Sequence, residues 1–480
     1  MRASPSRRAA TSPTPAPATD VGPFPSSSQL PRTVSWKAAV PIAFGGALSV
    51  TVSFGAMAGE LGNVSMWVWI VTAAVGALQC LLVSDLATRF PGRAGGTAQF
   101  AFRAWPRGSA TLGALSSWSY WFAWIPAVPV MLILAASYLK ATFWPGINTL
   151  ALAIAMALLL YALNLAGLRR STQANIVLAI VATVPLIMVL AGPVARPSHF
   201  HASNIFPLDL PQGAPNDALG VAALMVKWAF IAACSSYGAE LASTLCAEIR
   251  DSKRHLPKIM AISALTCLAA YTLIPLALLG IVGAEGLTKE PTTVFLPAAE
   301  ILLGSAGKNI VAVLLTACLI LIAQSAIISS SRTVYQIAQD GYLPRPFAHI
   351  SRRGVPTGSL ACDAVVIAVL LSIFGTSVLD EVASSVVGYL IVFILLPLAY
   401  LGLRDHKAAP PRAHHPKAMT ALAVALALFN TVLLIWGGIQ WGPKVMAVGL
   451  AFSLAIIPIA ALTRRFAPAA PAIGKADADS

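Results

Sequence analysis

Between Cys234 and Ser243 an apolar run carries Ser235, Ser236, Tyr237, Gly238, Glu240 and Ser243. Four hydroxyls, a glycine and a carboxylate in ten residues could bind a small polar solute. Hydrocarbon offers no water to such groups, so they must face protein or a polar cavity. Gly238 tolerates backbone angles that other residues resist, and serines offer the backbone alternative hydrogen bonds. A helix broken here frees N–H groups for a carboxylate and carbonyls for an ammonium or cation. An α-amino acid presents both. A straight helix whose serines bond back to carbonyls fits the same residues. Glu240 is a proton-coupling candidate, because burial disfavours a charged carboxylate; a structural acid bonded to nearby backbone is the other reading. Lys227 lies about nine residues, roughly 13 Å, into its span. It is a vestibule candidate that attracts anions or replaces a coupling cation; alternatively it snorkels outward.

The elements that must position these groups are apolar helices. The chain has 480 residues, 57% hydrophobic and 10% charged, against about 25% charged in a soluble domain. Runs long enough for a span of about 20 residues predict an all-α polytopic membrane protein with twelve transmembrane helices. They are placed at 38–58, 66–86, 112–139, 147–168, 173–195, 218–245, 259–283, 307–338, 357–375, 383–403, 418–438 and 443–463. Residues 1–37, rich in Pro, Ser, Ala and Arg, read as a disordered cytoplasmic tail. No short cleavable signal precedes the first span. The helical domain is 38–463, and 464–480 is a second cytoplasmic tail. Loop 196–217, despite His199 and His201, reads as a solvated linker, and 284–306 as a connection with a short surface helix.

The net charge of +14 is unevenly spread. With the N-terminus inside, 26 of the 32 Lys and Arg fall on the cytoplasmic side, five outside, and Lys227 within a span. This asymmetry supports an even number of spans with both termini cytoplasmic in a bacterial inner membrane. The charge is thus a topology signal that meets lipid headgroups, not a nucleic-acid surface. The six cysteines lie in or beside spans without zinc-like spacing, as small apolar fillers. There is no nucleotide-binding glycine loop, no H-E-x-x-H and no nucleophile triad. No enzyme, cofactor or metal is expected.

Spans 1 and 6 both carry small and polar residues midway; in span 1 these include Ser49, Thr51, Ser53 and Gly55. Interruptions at matching positions of two halves point to a transporter site. Their separation by five helices suggests a five-plus-five inverted repeat followed by two helices.

Four segments carry a family resemblance. Residues 234–258, CSSYGAELASTLCAEIRDSKRHLPK, end in an acidic residue, a charged turn, Arg and Pro: Glu248, Asp251, Arg254 and Pro257. Asp85 to Gly96 follows an E-L-x-x-x-x-P-x-x-G-G type of motif, and Trp118 to Trp124 form an aromatic stretch. Residues 332–356 hold D-G-Y-L-P and a later V-P. In this order the chain resembles the amino acid–polyamine–organocation permeases over roughly 38–463. The resemblance implies a leucine-transporter-type fold with alternating access, the substrate lying between helices 1, 3, 6, 8 and 10. By position, Ser235, Ser236, Tyr237 and Gly238 line the helix 6 break, Tyr120 lies near an aromatic inner gate, and Gln324, Ser325 and Ala326 face substrate from helix 8. Ala326 stands where some members stack an aromatic on a long cationic side chain. The G-S/T-G run of the family's first helix is scattered here over Ser49 to Gly55. Helix 5 lacks the lysine of some proton-coupled members.

The resemblance also leaves choices open. Ser329 and Ser330 either help bind sodium or pack helices. Arg250, Lys253, Arg254 and Arg332 either pair with Glu248, Asp251 or Asp340 as a gate or orient the protein. Asp363 reads as interfacial, and Trp121 and Trp124 as cavity-lining or neighbour-facing. The expected function is secondary active transport of an amino acid, neutral or small, coupled to H+ or Na+. A cationic amino acid or polyamine exchanger or exporter is the alternative within the class. A non-transporting amino-acid sensor on the same scaffold is the alternative of another class.

Overall fold

The computed structural model describes residues 53–89, 96–98, 100, 110–166, 184–245, 249, 251–351, 355–402 and 417–466. Its regular elements are helices, with no sheet among the described residues. Ten of these helices are long and apolar enough to cross a membrane, so this is a multi-pass membrane protein. They match predicted spans 2 to 4 and 6 to 12. Spans 1 and 5 lie largely outside the described residues; the end of the first forms α1 (Phe54–Leu61), and the end of the fifth a short apolar helix, Val184–Ala195.

Next come α2 (Ser65–Arg89), α3 (Ala110–Trp124) and α4 (Ala127–Thr142). The last two form one predicted span. Pro126 and Pro129 lack N–H donors and divide it at Ile125–Pro126, where Val130 N–H bonds to Pro126 C=O (3.2 Å). Then follow α5 (Thr149–Ala166) and α6 (Ala218–Ser236). A tighter 3-10 segment, Tyr237–Leu245, continues from α6. The remaining long elements are α7 (Ser252–Lys289), α8 (Phe295–Gln339), α9 (Thr357–Phe374), α10 (Val378–Gly402), α11 (Lys417–Val432) and α12 (Pro443–Leu454). α2 packs on α6, α7 and the 3-10 segment, and α4 packs on α8. α10 is central, touching α3, α11 and α12.

Two loop expectations are refined. Residues 284–306 join spans 7 and 8 through a short helix that is only partly at the surface. α7 and α8 extend into this region with bends at Gly283 and Gly304, and Phe295, Leu296, Ala298 and Ala299 are fully buried. The helix amid them is apolar on its inner face and joins the core. Loop 196–217 is not a free linker either. His201 N–H and the Asn204 amide both bond to Gly280 C=O of α7 (2.9 and 3.2 Å). The Asn63 side chain clamps the loop from the α1–α2 turn, donating to Pro207 C=O and accepting from Asp209 N–H (2.6 and 2.9 Å). These bonds satisfy backbone groups that would otherwise need water.

Candidate functional site

The α6 interruption is a change of helix type. Ser236 Oγ bonds back to Ala232 C=O (2.8 Å), Tyr237 N–H caps α6 on Ala233 C=O, and the chain then tightens into the nine-residue 3-10 segment. Such segments rarely exceed four residues, and within a helix they often mark a functional hinge. Ser235, Ser236, Tyr237, Gly238 and Glu240 are all buried along this junction.

Glu240 is fully buried and is held by hydroxyls from three other segments. Its Oε1 accepts from Tyr120 of α3 (2.9 Å) and from Tyr389 of α10 (3.4 Å). Its Oε2 accepts from Thr97, whose Oγ1 also lies 3.2 Å from Ser243 Oγ. The partners are side-chain hydroxyls, not the nearby backbone. Around them stand aromatic rings: Trp124 meets both Tyr120 and Tyr389 edge-on, and Tyr237, Tyr389 and Phe393 cluster at 4.8–6.3 Å. Hydroxyls both donate and accept. A charged Glu240 accepts a hydrogen bond from Thr97. A neutral one donates to Thr97, which turns its own proton to Ser243. The pocket can therefore hold this carboxyl in either state without moving a helix.

Tyr237 connects the junction to α11. Its hydroxyl donates to Asn430 Oδ1 (3.0 Å), and the Asn430 amide donates to Phe393 C=O of α10 and to Leu426 C=O (3.1 and 2.9 Å). Asn430→Leu is expected to lower thermal stability by about 1–2 kcal/mol, the range for interhelical hydrogen bonds in membranes. Detergent melting curves check this, and no change would show Tyr237 to be held by packing alone.

The other expected site residues scatter. Ser49 and Thr51 lie outside the described residues. Ser53 is buried, and its carbonyl accepts from Met57 N–H at the start of α1 (2.9 Å). Gly55 is spent on packing: a Cβ there would stand 2.5 Å from Pro291 Cα and 2.7 Å from Leu287 O. Gln324 does not join Glu240; its amide and that of Asn164 on α5 bond reciprocally (3.0 and 3.2 Å). Ser325 is half-buried and Ala326 is buried on the same stretch of α8. Ser329 is exposed, whereas Ser330 is buried and bonds to Asp363 Oδ2 (2.6 Å). Adjacent residues on a helix point about 100° apart, so the two serine side chains meet different surroundings. Asp363 is corrected from interfacial to fully buried, because α8 and α3 cover it.

Lys227 is paired. Its ammonium lies 2.7–2.8 Å from both oxygens of Glu60 on α1, which also accepts from Trp228 Nε1 (2.9 Å). The Trp228 and Trp441 rings flank the charge at 5.4 and 5.0 Å, and Trp441 Nε1 donates to Lys227 C=O (2.9 Å). The pair ties α6 to α1 and leaves both side chains part-exposed. Lys227→Met should cost about 1–2 kcal/mol, from a part-exposed pair and its cation–π contacts, and leave the pH profile of transport unchanged. The double exchange Glu60→Lys with Lys227→Glu should recover part of the lost melting temperature. A changed pH profile in Lys227→Met would return Lys227 to a coupling role.

Among the described residues no group of His, Cys, Asp or Glu is arranged to hold a metal. Sequence reasoning missed Thr97, Tyr389, Asn430 and Glu60. A lone polar residue in an apolar run was a usable signal for Asn430. None marked Thr97 or Tyr389.

A buried carboxylate enclosed by hydroxyls at a helix-type junction suits transport rather than covalent chemistry. A family model described as "Amino acid permease" matches residues 34–462. The chain belongs to the amino acid permease family. Its members are transporters, not enzymes. This permease is 24% identical over 349 residues to a D-serine/D-alanine/glycine transporter of Escherichia coli (strain K12), covering 67% of this chain and 71% of that one. It is 24% identical over 299 residues to YvbW, an uncharacterized amino acid permease of Bacillus subtilis (strain 168), spanning 60% of this chain but only 65% of the relative. It is 27% identical over 289 residues to the lysine-specific permease LysP of Escherichia coli (strain K12), over 55% and 56% of the two chains.

Proposed function

We propose that this permease is a secondary active transporter that moves a small neutral amino acid across the cytoplasmic membrane by alternating access, coupled to a proton at Glu240. The observation that carries the reading is the buried Glu240 with its three hydroxyl donors, at the point where α6 changes helix type. The substrate's carboxylate and amine are held by backbone at Ser235, Ser236 and Gly238 and by the matching part of span 1 around Ser49 to Ser53. Helix 8 contributes around Ser325 and Ala326, while Gln324 holds α5. The domain 38–463 carries twelve spans as a five-plus-five inverted repeat with two further helices. The tails 1–37 and 464–480 lie on the cytoplasmic side, consistent with the distribution of Lys and Arg.

A small substrate agrees with Ala326, which offers no ring for a long cation, and with the relative named for D-serine, D-alanine and glycine. The relative named for lysine favours a second reading, a cationic amino acid or polyamine exchanger or exporter. Counterflow in proteoliposomes separates them. Preloaded glycine or alanine should drive uptake of labelled glycine, with lysine and spermidine failing to compete. Competition by lysine or spermidine would establish the second reading. Binding of glycine without flux would indicate a sensor.

A further inference from the structure

Consecutive residues of α3 hold two different buried acids. Tyr120 donates to Glu240, and Trp121 Nε1 donates to Asp363 Oδ1 (2.8 Å). The wiring of the two acids matches. Each acid has one donor on α3 and one hydroxyl that owns a second partner, and Glu240 has Tyr389 besides. For Glu240 the hydroxyl is Thr97, with Ser243 as its alternative. For Asp363 it is Ser330, which bonds to Oδ2 at 2.6 Å and to Ile327 C=O at 3.3 Å.

This second partner matters for protonation. Charged Asp363 accepts from both Trp121 and Ser330. Neutral Asp363 keeps the Trp121 bond on Oδ1 and donates from Oδ2 to Ser330, whose proton turns to Ile327 C=O. Indole N–H is donor only and the hydroxyl is ambivalent, so both states are satisfied by one rotation of a hydroxyl.

A cavity also lies near Ser330 and Asp363 in the sequence of both helices. It is lined by Asn164, Ser331, Arg332, Val355, Pro356 and Leu360 and lies between α5, α8 and the start of α9. Leu360 is one turn before Asp363, and Ser331 follows Ser330. The groups around Asp363 are Trp121 from α3, Ser330 from α8, the Tyr161 phenol from α5, and Cys362 on its own helix. Arg332 lines the cavity and has interactions of its own.

We propose that Asp363 is a second proton-binding site of this permease, linked to Glu240 through Tyr120 and Trp121 of α3. The proton comes from water and returns to it; no bond other than O–H forms or breaks. The link to Glu240 rests on the transport reading above, whereas proton binding at Asp363 does not.

Infrared difference spectra of the purified full chain, stepped between neutral and acid buffer, test it. The wild type should show carbonyl bands of protonated carboxyls. Asp363→Asn should lose one band, different from the band lost in Glu240→Gln. Trp121→Phe keeps the acid and removes its fixed donor. It should change the proton concentration that half-forms the Asp363 band by about tenfold, a typical effect of one hydrogen bond to a charged group. Spectra of Asp363→Asn identical to wild type would overturn the proposal. If Asp363→Asn does not fold, an unmoved titration in Trp121→Phe and in Ser330→Ala would overturn it equally. A band lost in Asp363→Asn but none in Glu240→Gln would uphold Asp363 while removing Glu240 from its proton role. A band at Asp363 indifferent to Glu240→Gln would overturn the link between the sites.

Discussion

Glu240→Gln is expected to abolish proton-driven accumulation of substrate while leaving a folded, membrane-inserted protein. Glutamine has the size of glutamate and keeps one oxygen for Tyr120 and Tyr389. Its NH2 group faces Thr97, whose hydroxyl turns to Ser243, an acceptor already 3.2 Å away. The pocket can therefore accommodate the amide with little strain. What it loses is the exchangeable proton and the charge that strengthened its hydrogen bonds. Without that proton, gradient-driven uptake should fall to the level seen with no imposed gradient. Counterflow, which needs no net proton movement, should fall much less. Proteoliposome uptake with and without an imposed pH gradient measures both. An unchanged response to the gradient would make Glu240 a structural acid. Tyr120→Phe is the companion control: it keeps the carboxyl and removes one donor, so uptake should drop but remain pH-dependent.

The sequence made the helices legible because each hydrocarbon-length run of apolar residues has only one inexpensive solution in lipid. It made Glu240 legible for the same reason: a carboxyl at that depth demands an explanation. Its partners were not legible. Thr97, Tyr120 and Tyr389 stand 143, 120 and 149 residues away along the chain. Their meeting depends on how each helix is rotated about its axis, which packing decides and hydrophobicity alone does not. Tyr389 in an apolar run reads as a packing residue until α10 turns it toward the 3-10 segment. The same limit misplaced others. Gln324 faces Asn164 because α5 offers a complementary amide. Asp363 sits near the start of its span, yet neighbouring helices cover it. Ser329 and Ser330 look equivalent in sequence, but one residue of helical rotation separates an exposed side chain from one bonded to a buried acid. The form of the span 6 break was also hidden, since serines and a glycine permit either an opened strand of backbone or the tighter helix found after Tyr237.

Gly76 is where that tighter helix is held against α2, and enlarging it should be the most damaging single change at the junction. A Cβ at position 76 would lie 2.5 Å from Ser236 O, 3.0 Å from Ser236 C and 3.1 Å from Tyr237 Cδ1. Two of these three atoms are backbone, so no side-chain rotation relieves the contact. Either α2 or the α6 end must shift, and overpacking of this kind costs about 1–3 kcal/mol. Gly76→Ala should lower the melting temperature and reduce transport by more than the loss of folded protein accounts for. The displaced residues are those that orient Tyr237 and, three residues on, Glu240. Gly76→Val adds two more carbons to the same space and should yield little folded protein. Size-exclusion profiles of the detergent-extracted variants, with uptake normalised to the monodisperse fraction, separate the two effects. Wild-type uptake per folded molecule in Gly76→Ala would mean that α2 and the junction can part without consequence, and that Glu240 is oriented by its hydroxyl partners alone. A larger loss of uptake than of fold would instead make the α2 contact part of how the junction holds its acid, since the 3-10 segment runs directly from the carbonyl that Gly76 touches.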